Sequence, residues 1–116
     1  MKTYYSKLYE EVYSGMGEFA KENPEIMKGF GTIHKTCASD GALTSKMKEL
    51  LAIAIAIAVH CEGCIACHVK DAMRTGATHN EITEVIGVAI LMGGGPALVY
   101  GTKALEALKE FEESAE

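Results

Sequence analysis

Ten consecutive apolar residues, Leu50 to Val59, restrict this chain more than any other feature. Such a run has no polar side, so the element it forms needs cover all round. Large and small residues alternate along it, a period that a buried parallel strand would also show. The small partners are all alanine, the best helix former and a poor strand former, and no second β-branched run offers strands to pair with. A helix is therefore expected. It is about half the ~20 residues needed to span a bilayer, so no membrane segment is expected.

The flanking sequence reads as further helices. Tyr5, Leu8, Tyr9, Val12, Tyr13, Met16 and Phe19 form one apolar stripe over residues 3–22. Pro24 opens a second helix, with Ile26, Met27, Phe30, Ile33 and Cys37 as its apolar contacts. Ser39-Asp40-Gly41 is a loop, and Thr44 or Ser45 can cap the helix of the apolar run. A helix over 62–75 closes on Gly76 as its C′ residue. Thr78 to Glu81 has capping-box spacing ahead of Ile82, Val85, Ile86, Ala89 and Ile90. Gly93-Gly94-Gly95-Pro96 separates this helix from a last one carrying Leu98, Leu105, Leu108 and Phe111. Glu110, Glu112, Glu113 and Glu116 oppose the dipole at its end, so the tail should fray. The expectation is an all-α, compact bundle of five to six helices in a single domain, 1–116.

Hydrophobic residues make up 48% and aromatics 7%, with no Trp, so the core is built from small aliphatic side chains. A net charge of −5 argues against a nucleic-acid surface, which needs clustered Lys and Arg. MKTYYSKLYEEVY lacks the apolar segment of a secretory signal, which makes a cytoplasmic protein the default expectation. In that setting Cys61, Cys64 and Cys67 point to redox chemistry or metal binding before a structural disulfide framework, while Cys37 reads as a small core residue.

On a helix, Cys61, Cys64 and His68 fall within about 60° of arc, and Cys67 lies a further ~60° round. A first-turn cysteine has its thiolate stabilised by free N–H groups, and His68, one turn after Cys64, can take or hold the thiol proton. The spacing of Cys61 and Cys64 also suits a reversible disulfide at a helix start. Four other readings compete. In the thioredoxin arrangement a strand precedes the Cys pair; the cysteines can be buried hydrophobes; and His60, Cys61, Cys64, Cys67 and His68 are metal-ligand types, though consecutive turns of one helix do not converge on a tetrahedral centre. The Cys-x₂-Cys-x₂-Cys run is also found in iron–sulfur proteins, but the next expected cysteine is Asp71. No metal or cofactor is assigned. Glu49 alone reads as an acid suiting a helix start, and in one straight helix it would lie about 18 Å from Cys61. Glu62, His34 and His79 read as solvated polar residues.

Glu49, eleven residues, Cys61-x-x-Cys64, three residues and His68 together resemble the motif of alkylhydroperoxidase D-like proteins in the carboxymuconolactone decarboxylase family. The likeness extends through CIACHVKDAMRTGATHNEITEVIGVAILMGGGPALVYGTKALEAL and covers about residues 44 to 108. It implies an all-helical fold and a dithiol peroxidase acting on small hydroperoxides. In that chemistry Cys64 attacks the peroxide, Cys61 resolves the sulfenic acid, and His68 with Glu49 forms the proton relay. It also implies a thiol or dithiol electron donor and a trimer or hexamer. Better-known members carry a second histidine just before the second cysteine; here that position is Gly63, which bears on the completeness of the relay. The lactone decarboxylases of the family lack the Cys pair. Two alternatives remain: a redox- or metal-sensing helical oligomer without turnover, and decarboxylation of a cyclic lactone acid.

Overall fold

The computed structural model describes residues 2–115 and contains six α-helices, with no strand among the described residues. They are α1 (Tyr4–Glu22), α2 (Pro24–Ala38), α3 (Ser45–Ala58), α4 (Glu62–Arg74), α5 (His79–Gly93) and α6 (Gly95–Ser114). Each start but the last has a side chain that accepts one of the N–H groups a helix leaves unpaired. Thr3, Asn23, Thr44 and Thr78 do so with an oxygen, Cys61 with its sulfur. The Thr78–Glu81 pair forms the complete capping box expected from its spacing. Gly94 replaces a cap between α5 and α6, because its φ of 68° and ψ of −148° are open almost only to glycine.

The apolar run is helical, and its faces divide. Leu50, Ile53, Ala56 and Ile57 enter the core, where they meet Ile65, Val69, Ile82, Ala104 and Leu108. Leu51, Ile55 and Val59, spaced by four, remain exposed. Around α3, the helices α4, α5 and α6 pack closely, while α1 covers α4 and α2 lies against α1 and α3. Close approach in this group depends on small residues: a Cβ on Gly101 would stand 2.9 Å from Ile86 Cγ2.

Three expectations fail at the periphery. None of Ile26, Met27, Phe30, Ile33 or Cys37 on α2 is buried, since that helix has little of the molecule beside it, although Met27 and Phe30 do line a cavity with Val12 and Met16 of α1. Cys37 is exposed rather than a core residue. Leu98 also faces outward, the core side of α6 being Ala97, Gly101, Ala104, Ala107, Leu108 and Phe111. α6 runs on to Ser114, and two of the glutamates near its end have partners: Glu110 accepts the Tyr5 N–H at 2.8 Å and Glu112 pairs with His79 at 3.0 Å. Glu116 lies outside the described residues.

Candidate functional site

The chain reverses between α3 and α4 within three residues. The His60 N–H donates to the Ile57 carbonyl at 3.2 Å and the Cys61 N–H to that of Ala56 at 3.0 Å, the bond pair of a Schellman motif. Its C′ residue needs a left-handed backbone and is usually glycine; here it is His60, at φ 60°, with its ring stacked on Tyr100 at 4.6 Å. The reversal lays α4 back along α3 and turns a sequence separation of nineteen residues into contact. His68 Nδ1 lies 2.8 Å from Glu49 Oε2. Glu49 sits beyond the first turn of α3 and is buried, so the helix dipole does not account for it. An ionised carboxylate only accepts, so Nδ1–H donates to it and Nε2 is the nitrogen left to take a proton. The hydrogen bond that His68 donates to Glu49 holds His68 above its ordinary range against the opposing effect of burial, and the charges of Glu49 and Asp71 add to it.

Cys61 and Cys64 are joined as a disulfide, with Cα atoms 5.2 Å apart. Cys61 is the N-cap of α4, and its sulfur accepts the Cys64 N–H at 3.2 Å. Cys64 and His68 line a cavity of about 290 Å³ between α1, α2 and α4. Val12, Met16, Met27 and Phe30 give it apolar walls; Cys67, Asp71 and His34 are further members. Gly63 is in the wall as well, where a Cβ would come 3.1 Å from Val12 Cγ2, so α1 already occupies the side-chain space at that position. Cys67 is buried, and burial together with the Asp71 charge pushes its thiol up to about 11.

Of the four side chains singled out by spacing, Glu49 is bonded to His68 and Cys61 to Cys64, and His68 and Cys64 share the cavity wall. Others differ from expectation. Glu62 is not simply solvated: Tyr4 Oη donates to it at 3.0 Å, Tyr5 Oη at 3.2 Å and Lys103 Nζ at 3.4 Å. Burial pushes its carboxyl up, but these bonds outweigh it and hold Glu62 below the usual range. His34, from α2, reaches the cavity although it is exposed. In the sequence Asp71 stands out only as the position where an iron–sulfur run would need its next cysteine, and not as a member of the site. As for metals, oxygens of Glu49 and Asp71 and a nitrogen of His68 lie within 4.8 Å of one another. Glu49 and His68 already bond each other, and the set contributes no sulfur.

Comparison with known proteins bears on the family and the fold. The chain is 36% identical over 95 residues to an uncharacterized protein of Cupriavidus necator, covering 82% of this chain and 84% of that one. It is 38% identical over 99 residues to protein 4 of the cox locus of Paracoccus denitrificans, covering 85% and 89%. Among solved structures, a carboxymuconolactone decarboxylase family protein from Legionella pneumophila, in its apo form, superposes with a TM-score of 0.89 at 42% identity, covering 92% of this chain and 96% of that one. A Thermotoga maritima protein of the same family, for which an antioxidative role has been suggested, superposes at 0.83 with 24% identity, covering 92% of each, and shares the fold. The profile of the carboxymuconolactone decarboxylase family matches residues 24–107. Carrying that match over most of its length, the chain belongs to the carboxymuconolactone decarboxylase family.

Proposed function

We propose that this protein is a thiol-dependent antioxidant oxidoreductase that reduces small hydroperoxides. The observation that carries the reading is the 2.8 Å bond from His68, which lines the same cavity as Cys64, to the buried Glu49 carboxylate. In the reduced protein His68 takes the Cys64 thiol proton. The thiolate attacks the terminal oxygen of ROOH and the O–O bond breaks; the departing RO⁻ takes the proton from His68, leaving ROH and a sulfenic acid on Cys64. The Cys61 thiol condenses with that sulfenic acid, releases water and forms the Cys61–Cys64 disulfide seen here. An external thiol or dithiol donor restores the pair. The apolar walls suit a compact organic R group.

The Cys pair argues against the activity in the family's name. Purified protein with excess dithiothreitol should consume tert-butyl hydroperoxide catalytically, and His68→Ala should slow this by roughly the 10²–10⁴-fold typical of general acid–base groups. Absence of turnover overturns the reading. Carbon dioxide release from a cyclic lactone acid that survives loss of both cysteines would put decarboxylation in its place.

A further inference from the structure

Asp71 follows His68 by three residues on α4, which puts both side chains on one face of the helix. One oxygen of Asp71, one of Glu49 and a nitrogen of His68 lie within 4.8 Å of one another, and Asp71 and His68 share the cavity wall with Cys64. Two carboxylates this close, with side chains 18% and 8% exposed, repel each other, and the apolar surroundings screen the repulsion poorly. A proton on the imidazole beside them relieves it. The other groups facing Asp71 do less. Arg74 Nη1 donates to it at 3.3 Å from a mostly exposed position on the same helix, His34 on α2 is exposed, and Tyr13 on α1 and Cys67 on α4 are neutral.

We propose that Asp71 is a positioning residue of the relay: together with Glu49 it brackets His68 with negative charge, so that the proton taken from Cys64 rests on the imidazole until the departing oxygen collects it. This rests on the peroxide reading of the site. The proton balance is unchanged, with one proton passing from Cys64 to His68 and then to RO⁻, and Asp71 stabilises the intermediate location. Glu49 does so through a bond to Nδ1, and Asp71 through its charge alone. In keeping with this, the Asp71 carboxyl is raised by burial and by the charge of Glu49, and lowered by Arg74, His68 and His34.

The test uses the whole chain, reduced with dithiothreitol and kept free of oxygen. The His68 ring resonance, assigned with a His68→Gln variant, is followed against pH by NMR in the wild type, Asp71→Asn and Asp71→Glu. The rate of Cys64 oxidation by tert-butyl hydroperoxide is measured over the same pH range after removal of the reductant. In Asp71→Asn the His68 midpoint should fall by roughly one pH unit, the low end of what a charge at this range does. The limb of the rate profile that follows the imidazole should move with it, and Asp71→Glu should restore both. A midpoint that stays put in Asp71→Asn overturns the proposal, as does a midpoint that moves while the rate profile does not. A wild type whose Cys64 ignores the peroxide overturns the peroxide reading and the relay role with it; the titration, which needs no peroxide, still reports whether Asp71 and His68 are coupled.

Discussion

Glu62 shows how a residue beside the cysteines can serve the fold rather than the chemistry. Two tyrosine hydroxyls from the start of α1 and the Lys103 ammonium of α6 converge on its carboxylate, tying three helices together at the head of α4. Its folded-state pKa lies below the ordinary 4.5, so the stability it contributes is present above that value and is lost as pH falls through the lower folded one. Glu62→Gln should therefore melt lower at pH 7, by about 1 kcal/mol once partial exposure is allowed for, with the gap to wild type closing as the pH drops below the carboxylate range. Equal losses at pH 7 and pH 3 would contradict this. Nothing in the sequence marked Glu62, because its partners are fifty-seven, fifty-eight and forty-one residues away and follow no local period. Glu49, Cys61, Cys64 and His68 were legible only as a pattern of spacing. The bond between Glu49 and His68 required the reversal at His60, which helical periodicity cannot convey.

Helices were the most legible level, since their periodic stripes and Thr, Asn and Gly punctuation are local properties. Their starts and stops fall within a residue or so of where the caps put them. The α3–α4 corner is the exception, because the residue that takes the left-handed backbone is histidine and carries no glycine signal. Replacing His60 with Gly removes the backbone strain along with the ring stacked on Tyr100, so the thermal midpoint should stay close to that of the wild type. His60→Val should cost about 1–2 kcal/mol, the penalty of a side chain with a branched Cβ in that region, and lose the stacking on Tyr100. Thermal melts of the reduced proteins compare the two. A valine variant as stable as wild type would mean that the corner does not depend on this conformation.

For the whole molecule, the sequence indicated that the apolar run needs cover on every side, and the single chain covers one. Leu51, Ile55 and Val59 on α3, together with Leu91 and Met92 on α5 at 81% and 80% exposure, leave large apolar side chains open to water. Which of these faces pair was not legible, since a helix apolar all round gives the same pattern whether its cover is intramolecular or a second copy. Further copies of the chain are the expected cover, and light scattering should give the mass of a homo-oligomer, a trimer or hexamer; a sharp monomer mass over the working concentration range would contradict this. The chemistry is tested most directly by one round of reaction with peroxide, read by mass spectrometry on two variants. Cys61→Ser should be oxidised once and stop with a sulfenic acid on Cys64, while Cys64→Ser should not react at all. If Cys64→Ser is oxidised on Cys61 at the wild-type rate, the roles are reversed, and if both variants keep full turnover, the dithiol account is wrong.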